Sequence, residues 1–153
     1  MNRARLFGCL LGVSGLLLPA RFALGDGGGL EPEGASPAPF VGVWSVSATP
    51  DSTALAAGRH AFNDLVLFED NGFFMAEAFG PMGFGQMPFT VTELSEGVLG
   101  FTSTASNDSQ GTLVWNGVLQ NRRIVGSLVW TKPDGTSATY NFTANQADAE
   151  AGE

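Results

Sequence analysis

Residues 110–144 decide the fold, and they read QGTLVWNGVLQNRRIVGSLVWTKPDGTSATYNFTA. In three successive runs apolar residues recur at every second position: Leu113, Trp115, Leu119, Ile124, Leu128, Trp130, Ala138, Tyr140 and Phe142. Such alternation is typical of half-buried antiparallel strands. Gln120-Asn121-Arg122 and Pro133-Asp134-Gly135 separate the runs and have the composition of turns. The stretch therefore predicts three consecutive antiparallel strands.

Five more strands are predicted upstream, over residues 40–48, 62–69, 73–79, 87–92 and 98–104. Asn71-Gly72 marks the clearest hairpin turn, because this pair supplies the positive φ angles of a tight turn. A helical turn is predicted over 54–57, inside the long first connection.

Eight strands in simple succession predict an all-β fold, an eight-stranded antiparallel up-and-down barrel. Closure would remove the exposed edges of an open sheet. Four glycines within the strands fit a bent barrel wall: Gly42, Gly100, Gly117 and Gly126. The alternative architecture is a two-sheet sandwich.

The ends of the chain have a different character from its centre. Residues 1–25 have the basic start, apolar run and small-residue cleavage site of a signal peptide. Residues 26–39 are an acidic Gly/Pro linker predicted to be disordered, and residues 146–153 are a similar tail. The predicted barrel domain is 40–145. We therefore expect an exported protein, periplasmic or extracellular, with no membrane insertion after cleavage.

Composition excludes several classes of function. The only cysteine, Cys9, lies in the predicted signal peptide, so the mature chain would have no disulfide. The formal net charge is −8, and it becomes more negative when Arg3, Arg5 and Arg21 are removed. An acidic surface repels nucleic acid and anionic membranes, so neither is an expected partner.

Short motifs resemble two groups of proteins. Gly42-Val43-Trp44 resembles the Gly-x-Trp motif of lipocalins and other calycins. The chain from residue 40 to 144 also resembles small exported bacterial proteins of uncharacterised function, through motifs at 62–68, Gly83-Phe84, 115–117, 124–130 and 140–142. These resemblances imply a lipocalin-like barrel and export, and they imply no activity.

Catalytic and metal-binding constellations are not evident. With one histidine, His60, and no cysteine in the mature chain, we expect no catalytic residues, no metal and no cofactor. The acids Asp64, Glu69, Asp70 and Asp134 form no calcium-loop signature. The strand phase leaves Glu77 open to two interpretations, an inward carboxylate or an outward one.

We therefore predict a non-enzymatic barrel that binds a small apolar or amphipathic molecule. The site is expected at the end formed by connections 49–60, 80–86 and 105–109. The candidate ligand-binding residues are Trp44, Arg59, His60, Met82, Phe84, Trp115, Trp130 and Tyr140. In the alternative, aromatic side chains fill the barrel, Met82 and Phe84 plug it, and the protein is an envelope structural or protein-interaction module.

Overall fold

The computed structural model describes residues 34–147. The predicted signal peptide, most of the predicted linker and all but the first two residues of the predicted tail lie outside this range. Eight strands make up most of it: β1 (Gly42–Pro50), β2 (Phe62–Phe68), β3 (Phe73–Ala76), β4 (Met87–Ser95), β5 (Val98–Asn107), β6 (Gly111–Gln120), β7 (Arg123–Thr131) and β8 (Ser137–Gln146). Helix α1 (Ser52–Ala56) follows β1, and a 3-10 helix (Glu77–Met82) follows β3.

The strands form one closed antiparallel barrel in chain order. Each strand pairs with its neighbours along the chain, and β1 also pairs with β8, over the span Trp44↔Gln146 to Pro50↔Tyr140. This last pairing closes the sheet, so the predicted eight-stranded barrel is confirmed and the sandwich alternative is wrong.

The interior face is the one that the alternation predicts. All nine apolar residues that define the pattern of residues 110–144 are buried in the core. Gly117 and Gly126 pair directly with each other on this same face. Their lack of side chains leaves room inside the barrel for the rings of Phe101 and Phe142.

All five upstream strands differ from the prediction at one boundary or more: β2 ends at Phe68, β4 continues to Ser95 and β5 continues to Asn107, and β1 and β3 differ for reasons that the structure shows. The first strand begins at Gly42 instead of residue 40, because Phe40 turns into the barrel. The third strand ends at Ala76 instead of residue 79, where the chain turns into the 3-10 helix. Glu77 is exposed at the start of that helix, so the inward interpretation of its carboxylate is wrong.

Successive connections alternate between the two ends of the barrel. The long-loop end, as we name it, carries residues 51–61, 77–86, 108–110 and 132–136. The hairpin end carries the short turns 69–72, 96–97 and 121–122. In the last of these, Asn121 and Arg122 have φ angles of 52° and 61°, as expected of the primed turn that matches strand twist.

The hairpin end is closed by the residues that precede β1. The backbone N–H of Phe40 donates to Pro37 O, and the resulting turn directs the Phe40 ring into the barrel. There the ring lies 5.5 Å from both Phe68 and Phe101, centroid to centroid. The Phe40 carbonyl accepts a hydrogen bond of 2.7 Å from Trp44 Nε1, which holds the turn in place.

Candidate functional site

Trp130 lies at the centre of the long-loop end, where the site was predicted. Its side chain is buried, and its Nε1 donates to Gln110 O at 2.8 Å. Lys132 Nζ lies 3.5 Å from the centroid of the indole, and Arg59 Cζ lies 5.9 Å from it. Both distances are within the range of cation–π attraction. Two predicted site residues, Arg59 and Trp130, are therefore brought together with Lys132, which the sequence did not single out.

The charges around Trp130 influence one another. The pKa of Lys132 is lowered by partial desolvation and by the positive charge of Arg59, against the opposing effect of Asp134. The pKa of Asp134 is lowered by hydrogen bonds from the Thr136 side chain and backbone. The long-loop end thus combines two cations, Arg59 and Lys132, that lie over the Trp130 indole with a carboxylate, Asp134, that is hydrogen-bonded within the turn it belongs to.

The mouth beneath these cations is filled by phenylalanine rings. Phe79, in the 3-10 helix, packs edge-on against Trp130 at 5.7 Å and against Trp115 at 5.9 Å. Phe84 is buried behind it at 6.4 Å. Met82 is 37% exposed. The segment therefore closes the barrel through Phe79 and Phe84, whereas Met82 faces outward.

A side chain from β5 holds the closing segment in place. Asn107 Nδ2 donates to Gly83 O at 3.2 Å and to Met82 O at 3.4 Å. Its Oδ1 accepts from Ser109 N at 2.9 Å, so the same amide also shapes the next connection. Gly83 has a φ of 87°, and a Cβ there would stand 2.6 Å from Asn107 Nδ2. Only glycine allows this close approach.

The remaining predicted residues lie in different places. Trp115 and Tyr140 are buried inside the barrel, where Trp115 contacts Phe74 and Phe142. Trp44 is hydrogen-bonded to the turn at the hairpin end, away from the predicted mouth. His60 is exposed. The eight predicted residues thus divide between the mouth, the core and the opposite end.

Aromatic packing fills the centre of the barrel. The gap that remains there is too small to hold a water molecule, and its lining is apolar: Val46, Val66, Phe68, Phe74, Phe101, Trp115, Ile124, Phe142 and Ala144. Neighbouring rings meet at tilted or edge-to-face angles, with centroids 4.7 Å apart for Phe68 and Phe74 and 5.4 Å apart for Phe74 and Trp115. Such geometry is favourable for aromatic pairs.

Asp64 is an inward-facing carboxylate, although its sequence context suggested only an oxygen ligand for calcium. It is 8% exposed, and its Oδ1 accepts from the backbone N–H of Ala78 at 2.8 Å. This bond forms just after β3 ends, at the start of the 3-10 helix. The Asp64 side chain thus accepts the N–H that the next backbone hydrogen bond between β2 and β3 would otherwise use. Burial raises the pKa of this carboxyl, and the nearby Glu77 charge raises it further. The sequence could have shown that Asp64 faces inward, because it shares the strand phase of the apolar residues Phe62 and Val66.

Within residues 34–147, no three His, Cys, Asp or Glu side chains are grouped as a metal site would require. That range also has no helix long and apolar enough to cross a membrane. Comparison with known proteins found no matching family model, no matching curated protein and no matching solved structure. The lipocalin-like resemblance therefore stays a prediction.

Proposed function

We propose that this protein is an exported, non-enzymatic binding module, a filled β-barrel that recognises a protein partner through the outside of its wall. The observation that carries the proposal is the packed interior. Phe40 closes one end, Phe79 and Phe84 close the other, and the central gap is too small for a water molecule. A small-molecule carrier needs an enclosed volume of hundreds of Å³.

The composition of the wall supports the same proposal. Among residues of the strands, only Asp64, Glu93 and Arg123 are charged, and Asp64 faces inward. Other charged groups of the described chain lie in the connections. An exterior built from uncharged side chains can be desolvated at low cost when it meets another protein surface.

A thermal-shift screen of the purified protein with fatty acids, retinol and a hydrophobic dye tests the proposal. A ligand at 100 times its dissociation constant stabilises a protein by about 2.7 kcal/mol. We expect no compound to raise the melting temperature and no small molecule to co-purify in native mass spectrometry. A reproducible shift, or a co-purified lipid, would contradict the proposal.

The second candidate function is the binding of a small amphipathic molecule at the long-loop end, as first predicted from the sequence, and the structure favours an anionic one. The observation that favours it is the pair of cations on Trp130, since Arg59 and Lys132 could receive a carboxylate or phosphate head group. An apolar tail would enter only if Phe79 and the 3-10 helix moved aside.

Tryptophan fluorescence distinguishes the two candidates. If the mouth binds such a ligand, titration with a fatty acid will change Trp130 emission, and Lys132→Ala together with Arg59→Ala will weaken the response. The filled barrel predicts no saturable change in the original protein.

A further inference from the structure

One part of the wall concentrates exposed apolar side chains. Val43, Leu65, Phe73 and Met75 are 42%, 46%, 39% and 38% exposed, and all four lie on β1, β2 and β3. Strand pairing places Leu67 between Val43 and Met75, so these five residues form one continuous surface. We call it the apolar wall patch. Contiguous apolar patches on the surface of a soluble protein often mark interaction sites.

Acidic residues lie at both ends of the apolar wall patch. Glu69 and Asp70 follow β2 at the hairpin end, and Glu77 follows β3 towards the long-loop end. Glu69 accepts hydrogen bonds from the side-chain amides of Gln86 and Asn71, which are both neutral donors. The acidic group at Glu69 lies five extended residues from Asp64, at the other end of the patch, which corresponds to roughly 16 Å along β2.

A cleft adjoins the patch at its Glu77 end. The cleft has a volume of about 350 Å³ and is lined by Ser45, Asn63, Asp64, Leu65, Glu77 and Ala78. It exists because β3 pairs with β2 only over Val66–Phe68, so the earlier part of β2 pairs with β1 on one side and has no strand on its β3 side. Leu65 belongs to both the cleft and the patch, so the two surfaces are continuous.

The cleft is acidic and contains an unsatisfied group. Asp64 is 8% exposed, and its Oδ2 is buried with no hydrogen-bond partner among the described residues. The charged group that acts on Asp64 is Glu77, another acid. No basic residue lines the cleft. A buried carboxylate oxygen without a donor favours the approach of a cation that can hydrogen-bond.

We propose that the apolar wall patch and its cleft dock a protein segment in which apolar side chains are flanked by Lys or Arg. The apolar side chains of the partner cover Leu65 and Met75, one basic side chain enters the cleft beside Glu77, and a second faces Glu69 and Asp70. This inference rests on the proposed function, and it names the surface and the chemistry of the partner.

A second copy of this chain is a poorer occupant of the same surface. Two identical patches that meet about a twofold axis bring each acidic end against an acidic end. Glu77 would face either Glu77 or the pair Glu69 and Asp70, and like charges across an interface oppose association. The charge pattern therefore favours a basic partner.

An array of synthetic peptides tests the docking surface. Each peptide has the same apolar centre, and its flanks carry Lys, Ser or Glu. We expect the purified protein to be retained most by Lys flanks and least by Glu flanks. For the best Lys-flanked peptide, measured by fluorescence anisotropy, Leu65→Asp and Glu77→Lys should each lower the affinity by about tenfold.

Val125→Asp is the matched control, because Val125 is 53% exposed on β7, on a different part of the wall. It should leave the affinity unchanged, and Glu77→Lys, at an exposed helix residue, should not disturb folding. The proposal would be overturned if the array retained the protein equally well whatever the charge of the flanks. It would also be overturned if Val125→Asp and Leu65→Asp lowered the affinity for the peptide by the same factor. A dimer in sedimentation of the protein alone that Leu65→Asp dissociates would overturn it as well.

The two proposals fail in different ways. A lipid that co-purifies or raises the melting temperature removes the filled-barrel function, whatever the array shows. If no small molecule binds and no peptide is retained, the docking surface alone is wrong and the filled barrel stands.

Discussion

Gly126 is the position where the barrel should tolerate a side chain least. A Cβ there would overlap the carbonyl oxygen of Asn116 and would stand 2.8 Å from the Cα of Gly117 and 2.7 Å from the Phe142 ring. Two of these three atoms belong to the backbone of β6, and they cannot rotate away. Gly126→Ala should therefore force β6 and β7 apart at their central pair.

The size of the effect follows from which atoms must move. Overpacking costs about 1–3 kcal/mol, and we expect the upper end because backbone must shift. At Gly117, in contrast, a Cβ meets mainly the side chains of Phe101 and Ile124, which can give way. Gly117→Ala should therefore cost roughly half as much as Gly126→Ala.

Thermal unfolding followed by circular dichroism measures the difference. In a domain of this size 1 kcal/mol shifts the melting temperature by about 4 °C, so Gly126→Ala should lower it by about 12 °C. The control is Gly85→Ala, where nothing lies within 4 Å of the added Cβ. There the substitution lowers the conformational entropy of the unfolded chain, so it should raise the free energy of unfolding by roughly 0.4–1 kcal/mol. A neutral or stabilising Gly126→Ala would refute the packing described for β6 and β7.

Three further predictions concern single side chains. Because burial raises the pKa of Asp64, folding binds a proton there, so stability from this group is lost as pH rises from 3.8 through the raised pKa. Asp64→Asn should flatten that part of the pH–stability curve; an unchanged curve would count against the assignment. Phe79→Ala should cost about 3–5 kcal/mol by opening a cavity under Trp130, and it should increase hydrophobic-dye binding; no change in either would show that Phe79 does not plug the barrel. Asp51→Ala removes the side-chain acceptor of Ala54 N–H at the start of α1 and should cost about 1 kcal/mol in urea unfolding, while Ser52→Ala should cost less.

Local pattern was sufficient to predict the strands and, over residues 110–144, their buried faces. Alternation places one set of side chains on each face of a strand, so residues 110–144 identified the interior face without knowledge of any neighbour. Asn71-Gly72 marked its turn for a similarly local reason, although only Gly72 adopts a positive φ, of 83°. The simple succession of eight strands was enough to predict the barrel and the end at which the longer connections collect.

The end of β3 was not predictable from local pattern. Residues 73–79 continue the alternation, yet the strand stops at Ala76 because Asp64 accepts the N–H of Ala78 from the neighbouring strand. That bond joins residues 14 positions apart. The same early stop creates the cleft beside Glu77 and turns the Glu77 side chain outward.

Whether the barrel was hollow or filled depended on volume, which no local pattern contains. Phe40 was predicted on the same face as Trp44 and Val46, but it lies before the first strand, and Phe79 lies beyond the third. Alternation does not say that both rings close the ends of the barrel. They do so because the wall encloses a space that Trp115, Phe74 and the other inward rings do not fill by themselves. The sequence alone thus determined which side is buried in the strands of residues 110–144, and the tertiary structure decided the phase of β3 and what fills the interior, because close packing is a property of all the strands together.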